Sequence, residues 1–196
     1  MTLTTHGTMT DLADYLKSYF SMEDSEIEII RESFLPQTLR KNEYFLKAGQ
    51  VCHTMSFQRS GLVRFYIDTP EKEVTQWIST PGYFITDLGG LVFDKPARYH
   101  VQALEDCELF SIDKKAYDRL GELLPRWPQL ERRFIARCFT YMEDRVFGLL
   151  SMTAEQRYKW LFDQHPAIFN QVPLQYLASM MGMTPETLSR IRKKQL

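Results

Sequence analysis

Hydrophobic and polar positions follow three successive patterns along this chain, and the first pattern is helical. In residues 11–20 the apolar side chains recur at spacings that place them on one helix face. A second helix starts at Ser21 or Asp24, and Pro36 stops it. The inward positions of these two predicted helices are Leu12, Tyr15, Leu16, Tyr19, Ile27, Ile30 and Phe34.

From Thr38 to Ile112 the pattern is that of β-structure. Short runs rich in β-branched and aromatic residues are separated by glycine, proline and acidic turn residues. About seven or eight short strands at regular spacing predict an antiparallel sandwich or jelly roll. The strand-like runs are residues 44–46, 55–57, 62–67, 74–78, 83–85, 99–103 and 107–112.

The third pattern is a long helix with two apolar stripes. Asp113 opens a helix over residues 114–123, and Pro125 and Pro128 precede the longer helix. One stripe has heptad spacing, which is typical of a helix that pairs with its own copy. Because two apolar faces need two partners, we expect one stripe to pack on the β domain and the other to form a dimer seam. The alternative is that the same chain covers both. The seam comprises Ile135, Phe139, Met142, Val146 and Leu149, and the second stripe comprises Leu130, Phe134, Cys138 and Tyr141.

The C-terminal segment predicts a helix-turn-helix, with an ordinary helical hairpin as the alternative. Thr153 starts a helix, and Pro166 and Pro173 flank a link into the last two helices. Gly182 allows the left-handed backbone of a tight turn, and Thr184 is a good helix cap. A second helix with a polar, basic outer face is the kind that enters a major groove. Its outer face is Glu186, Thr187, Ser189, Arg190, Lys193 and Lys194; the inward residues are Tyr158, Leu161, Phe162, Leu174, Leu177, Ala178, Leu188 and Ile191.

Composition indicates a soluble globular protein, with 44% hydrophobic and 25% charged residues in a chain of 196. A net charge of −1 excludes a strongly basic nucleic-acid coat protein, so any DNA contact must be local. Residues 1–10 lack the pattern of a signal peptide, and no apolar run approaches the roughly 18 residues of a membrane span, so we expect a cytoplasmic location. Three scattered cysteines favour reduced core thiols over a metal site; they are Cys52, Cys107 and Cys138.

The order of these parts resembles that of the CRP/FNR family of bacterial transcription regulators. Two segments carry the resemblance, which extends over residues 11–196. Residues 82–89 look like a phosphate-binding cassette, and residues 183–191 look like a recognition helix. The resemblance implies an α+β protein built around an antiparallel jelly roll. Its parts are a cyclic-nucleotide-binding-like effector domain with N-terminal helices at 1–125, a dimerisation helix at 126–151 and a helix-turn-helix DNA-binding domain at 152–196.

The resemblance also implies which residues contact DNA. The family reads bases with a glutamate and an arginine four positions apart, which here are Glu186 and Arg190. A carboxylate accepts a hydrogen bond from cytosine N4, and arginine donates two hydrogen bonds to guanine. Pro185 stands where the family often has another arginine, so that contact is absent. The positions that match phosphate contacts are Gln175, Thr184, Thr187 and Lys193.

The ligand cassette departs from the members that bind cyclic AMP. Those members pair Gly-Glu for the ribose with Arg-Ser for the phosphate, whereas this chain has Thr86-Asp87 at the first pair. An ungapped count puts Ala97 at the arginine position, and Arg98 could supply the charge only from a slipped position. Since a buried phosphate needs a charged partner, these departures argue against cyclic AMP. The candidate pocket residues are Thr86, Asp87, Leu88, Arg98, Tyr99 and Met142.

Other family chemistries have weaker support. Oxygen sensing needs an N-terminal cysteine cluster, which the sequence lacks. Haem sensing could use Cys52-His53 or His100, but a lone histidine is more often structural. The sequence therefore identifies no cofactor, and it leaves open whether the β domain senses a small molecule or nothing.

The leading hypothesis is a dimeric, sequence-specific DNA-binding regulator. Its expected partners are double-stranded DNA, a second copy, RNA polymerase and an unidentified effector, with no membrane. We also expect a short form without the family's C-terminal β-hairpin wing, with lower DNA affinity unless the C-terminal tail compensates.

Two rival functions belong to other classes. One is a ligand-binding or protein-interaction module with a vestigial helix-turn-helix, which Pro185 and the expected loss of the wing favour. The other is an enzyme that uses Asp87 and His100 as an acid/base pair. No nucleophile or metal set accompanies that pair, so we assign no catalytic or metal residue.

Overall fold

The computed structural model describes residues 12–195, without the side chain of Gln195. Asp11, the predicted first residue of the first helix, lies outside the described residues, as does the segment that bears on a signal peptide. The strands are β1 (Leu35–Leu39), β2 (Tyr44–Leu46), β3 (Thr54–Gln58), β4 (Val63–Asp68), β5 (Glu73–Ser79), β6 (Phe84–Ile85), β7 (His100–Ala103) and β8 (Cys107–Asp113). The helices are α1 (Leu12–Phe20), α2 (Asp24–Ser33), α3 (Leu88–Phe93), α4 (Lys114–Leu123), α5 (Trp127–Ser151), α6 (Ala154–Gln164), α7 (Ile168–Gln171), α8 (Leu174–Met180) and α9 (Pro185–Gln195).

The strands form two four-stranded antiparallel sheets, ordered β1-β8-β3-β6 and β2-β7-β4-β5. Inward side chains of both sheets share one apolar core, which includes Ile85, Val101 and Leu109. Helices α1, α2, α4 and the start of α5 pack in a second core with the first sheet. The predicted α+β class and antiparallel β domain are therefore confirmed.

Several element boundaries differ from the sequence prediction. Helix α2 starts at Asp24 with a reciprocal capping box between Glu23 and Glu26, whereas Ser21 has a φ of 51°. Helix α2 ends at Ser33, because Phe34 has extended backbone, and it therefore stops before Pro36, which lies inside β1. Helices α3 and α7 were not predicted.

The two stripes of α5 have different surroundings. The second stripe packs on its own chain: Leu130 is buried, Phe134 packs on Phe84, and Tyr141 packs on Trp77. The predicted seam is exposed along its length, and Phe139 is 63% exposed. The alternative that the same chain covers both stripes is therefore wrong for the described residues.

The helix-turn-helix forms as its local sequence predicts. Leu177, Ala178 and Leu188 are fully buried, and Gly182 has a φ of 63° at the turn. The Thr184 hydroxyl caps α9 by accepting from the Thr187 N–H at 3.2 Å. One inward assignment was wrong, because Phe162 is 40% exposed while its ring still packs on Tyr158.

Candidate nucleic-acid interface

The outer face of α9 forms an exposed groove together with the first residue of α8. The predicted base-reading pair lies on this face, because Glu186 and Arg190 are one helical turn apart and both are exposed. Within residues 12–195 Arg190 forms no salt bridge, so its guanidinium donors are uncommitted. The groove is lined by Leu174, Pro185, Glu186, Ser189, Arg190, Lys193 and Lys194.

Local hydrogen bonds keep Glu186 ionised. A bond from its own backbone N–H and a second from the Thr184 hydroxyl hold the pKa of this carboxyl below its ordinary value. A negatively charged carboxylate in the first turn also interacts favourably with the positive N-terminal end of the helix dipole. Glu186 is therefore a hydrogen-bond acceptor at neutral pH, as contact with a base amino group requires.

Most predicted phosphate contacts lie near this groove. Gln175, Thr184 and Lys193 are exposed, and Thr187 is half-buried beside its cap. Lys194 forms a 3.4 Å salt bridge with Glu155 of α6. The pairing of Lys194 leaves Lys193 as the freer lysine of the last turn.

A buried arginine joins the helix-turn-helix to the β domain. The Arg64 side chain on β4 is 2% exposed, and its Nη1 donates to the Glu73 carboxylate at 2.6 Å. Its Nε donates to Thr75 Oγ1 at 2.9 Å. The guanidinium lies 4.2 Å from the ring centre of Tyr66 and 3.6 Å from that of Tyr176 on α8. This contact ties α8 to the second sheet.

Two further hydrogen bonds hold α8 and α5 on strand β5. The Thr75 N–H on β5 donates to Ser179 Oγ on α8 at 2.9 Å. Arg145 on α5 donates to the carbonyl of Gln76 at 2.7 Å. Apolar residues of the β domain, including Ile78, belong to the core of the helix-turn-helix. The helix-turn-helix is thus packed directly on the β domain.

The cassette residues hydrogen-bond to one another. The buried Asp87 carboxylate caps α3 by accepting from the Gly90 N–H at 2.9 Å, and it accepts from the Tyr99 hydroxyl at 2.8 Å. Burial, followed by the bond to Asp87, raises the pKa of Tyr99. Thr86 Oγ1 donates to the carbonyl of Thr54. The polar groups that would meet a ribose therefore already have partners within the chain.

The remaining pocket candidates are not brought together. Ala97 is buried at the position where the family has its phosphate arginine, whereas Arg98 is exposed. Leu88 packs on the core of the first sheet, and Met142 lies on the exposed stripe of α5. The cassette thus supplies no buried cation for a cyclic phosphate.

The structure does not form the acid/base pair of the enzyme hypothesis. Asp87 bonds to Tyr99, while His100 Nε2 lies 3.2 Å from Asp68 and its ring stacks on Tyr66. Of the candidate haem ligands, the buried Cys52 thiol donates to the Thr54 carbonyl.

No group of three or more metal-ligating side chains occurs within the part of the chain that the structure describes. In the same part, no helix is long and apolar enough to span a membrane. All three cysteines are free, and Cys138 is half-buried rather than fully in the core.

Two structural features were not predicted from the sequence. Arg64 is a charged residue in a strand and would be expected at the surface, but Thr75, Tyr66 and Tyr176 of α8 surround its guanidinium. Phe147 and Leu150 widen the apolar surface beside the seam, although they fall outside its heptad spacing.

The chain was compared with known proteins. Residues 36–122 match the family model of the cyclic nucleotide-binding domain. No curated protein matches the chain in sequence.

The solved structures with a similar fold include several regulators. The c-di-GMP-responsive global regulator CLP of Xanthomonas campestris is 17% identical, covers 88% of this chain and 91% of its own, and has a TM-score of 0.67. FixK2 of Bradyrhizobium japonicum is 17% identical, covers 82% of this chain and 83% of its own, and has a TM-score of 0.68. The catabolite activator protein of Thermus thermophilus is 20% identical, covers 90% of this chain and 84% of its own, and has a TM-score of 0.58. The expected fold is thus confirmed along most of the chain.

Proposed function

We propose that this chain, which has the CRP/FNR fold and a cyclic nucleotide-binding domain, is a homodimeric, sequence-specific DNA-binding transcription regulator of the cytoplasm. The observation that carries the proposal is the outer face of α9. Glu186 and Arg190 are exposed there without a competing salt bridge in the described residues, beside Lys193. The charges are local, as a protein with a net charge of −1 requires for DNA binding.

The exposed stripe of α5 supports a homodimer. It adds Phe147 and Leu150 to the five predicted seam residues, and such a wide apolar face is costly to leave in water. A two-fold axis along α5 would present two α9 helices to one side of a duplex. The preferred site is then a pseudo-palindrome with half-sites about 10 bp apart.

The β domain does not recognise cyclic AMP in this proposal. The buried Asp87 carboxylate is engaged by Gly90 and Tyr99, and Arg98 is exposed. A cyclic phosphate buried without a cation would lose its hydration without compensation. Calorimetry should therefore detect no binding of cyclic AMP at micromolar concentrations, and a micromolar dissociation constant would contradict this part. The proposed role is regulatory and not catalytic, with RNA polymerase as the partner at the promoter.

Selection of duplexes from a random library, followed by fluorescence anisotropy, tests the DNA-binding role. Arg190→Ala should weaken the selected site by about 1–3 kcal/mol and relax the preference at one guanine per half-site. Lys193→Ala should weaken all sequences alike and reduce the salt dependence, because it contacts phosphate.

An Arg190→Ala protein with unchanged affinity and base preference would contradict the assignment of α9. The interaction module with a vestigial helix-turn-helix would then be the better description. Pro185 at the start of α9 is the residue that favours that alternative.

A further inference from the structure

A narrow cleft lies where the β domain, α5 and the helix-turn-helix meet. Its walls come from Trp77 on β5, from α5, from Trp160 on α6 and from the end of α8. Its volume is about 30 Å³, well below the roughly 300–1,000 Å³ of a ligand pocket. Gly148 helps to keep it open, because a Cβ there would contact only the Met152 side chain, at 3.5 Å. The space is therefore of the size that the branch of one aliphatic side chain fills.

The predicted seam fixes the heptad positions of α5. Its spacings of 4, 3, 4 and 3 place Phe139 and Val146 at position a and the other three seam residues at position d. Position g, which directly precedes a, is then Arg145, and the next g is Met152, which directly follows the last residue of α5. Position e, which directly follows d, is Leu150.

This assignment places a partner residue at the mouth of the cleft. In a parallel pair of helices, an e residue of one helix lies beside the g residues of the other. Leu150 of the partner subunit therefore lies between Arg145, five positions earlier in the sequence, and Met152, two positions later. Both of these residues line the cleft, as does the seam residue Leu149. The cleft is thus continuous with the proposed dimer interface.

The side of α5 that carries position e matches this surface. Its large apolar side chains are confined to the last two turns, where Leu150 is 82% exposed and Phe147 is 67% exposed. The preceding e residue is Glu143, which the same geometry places beside Arg145 of the facing subunit. Neither Glu143 nor Arg145 forms a salt bridge within residues 12–195. Apolar and charged positions are therefore both complementary to a second copy of this chain.

We propose that Leu150 of the partner subunit fills this cleft, so that each subunit holds the helix-turn-helix of the other on its β domain. The inference rests on the proposed function, because it needs the parallel homodimer. The inserted side chain contacts β5, α5, α6 and the end of α8 together. It therefore stabilises the docked arrangement of the helix-turn-helix over an undocked one, and dimerisation and docking are coupled.

Methyl NMR on mixed dimers tests the insertion directly. Subunits with isotope-labelled leucine methyls are exchanged with subunits with labelled methionine methyls, so that any NOE between the two labels crosses the dimer interface. We expect an NOE between Leu150 and Met152, and its absence in Leu150→Ala assigns it. Leu123→Ala is the matched control, since it removes another exposed leucine of a helix, at the end of α4, and should retain this NOE.

Two further measurements test the coupling. In sedimentation equilibrium Leu150→Ala should raise the dissociation constant of the dimer by about 100-fold, or about tenfold for each of two symmetric contacts. In samples concentrated enough to keep this variant dimeric, the Thr75 N–H, which donates to Ser179 on α8, should exchange about tenfold faster. Leu123→Ala should change neither quantity. Both leucines are exposed in the single subunit, so we expect each variant to fold.

The proposal is overturned if the wild-type dimer shows no NOE between Leu150 and Met152. It is also overturned if Leu150→Ala leaves either the dissociation constant or the exchange at Thr75 as in the wild type. A wild-type protein that sediments as a dimer but lacks this NOE refutes the insertion alone and leaves the proposed function intact. A wild-type protein that is monomeric at micromolar concentration refutes the homodimer of the proposed function, and this inference with it.

Discussion

The contact between Arg64 and Tyr176 should determine how firmly α8 is held on the β domain, and Tyr176→Leu tests this. The substitution keeps an apolar side chain but removes the ring that lies 3.6 Å from the guanidinium. Arg64 keeps Glu73 and Thr75, so no buried charge is orphaned and the loss is confined to the contact between the domains. A desolvated cation–π contact contributes about 1–2 kcal/mol. This range for a desolvated contact applies because the Arg64 side chain is only 2% exposed.

Amide hydrogen exchange at Thr75 measures this loss directly, because its N–H donates to Ser179 on α8. If α8 leaves and returns faster than exchange occurs, a loss of about 1–2 kcal/mol speeds exchange by about 5- to 30-fold. The rate can be followed by NMR. The amide of Phe65, in the central strand β4, serves as the internal reference.

Tyr44→Leu is the matched control for this experiment. It makes the same change in β2 of the second sheet, where Tyr44 contacts Tyr66 and His100 rather than Arg64. Thr75 should exchange as in the wild type. The reasoning is refuted if Tyr176→Leu leaves exchange at Thr75 unchanged, or if Tyr44→Leu speeds it equally.

Three further predictions concern other parts of the molecule. Phe139→Asp should place an unpaired charge in the dimer seam, weaken dimerisation by about 3–5 kcal/mol and give monomers in sedimentation velocity. The control Arg133→Asp, which lies off the stripe, should leave the dimer intact. A wild-type protein that is monomeric at micromolar concentration would contradict the seam. Tyr99→Phe should lower the free energy of unfolding in urea by about 1–3 kcal/mol, because Asp87 loses a buried donor; unchanged stability would mean that the cap on α3 suffices. Burial raises the pKa of Cys107 to about 11, so the native thiol should resist iodoacetamide at about pH 8 and react once urea unfolds the chain, as mass spectrometry can show.

Local chemistry explains which elements the sequence predicts. Asp113, Thr153 and Thr184 were identified as helix starts because an N-cap needs only its own hydroxyl or carboxylate and a backbone N–H within a few residues. Gly182 was identifiable for a similar reason, since its positive φ favours glycine.

Non-local packing explains what the sequence did not predict. Strand β1 is mostly exposed and contains Pro36, so no alternation marks it, and its pairing with β8 specifies it. Arg64 is similar, because nothing near it in sequence indicates that Tyr176 covers it. The cassette was identified as a segment, but the bond from Tyr99 to Asp87 depends on how the residue before β7 lies beside the N-cap of α3.

The position of β5 at the end of its sheet has a consequence for folding and solubility. An edge strand presents unpaired backbone groups that can recruit another chain, and here Ser179 and Arg145 occupy the free N–H of Thr75 and the free carbonyl of Gln76. Helices α8 and α5 therefore together cover part of this edge and protect the sheet against aggregation. Any conformational change that moves α8 away from β5 must expose this part of the edge or cover it by other means. A β domain expressed without its last helices should consequently associate edge to edge.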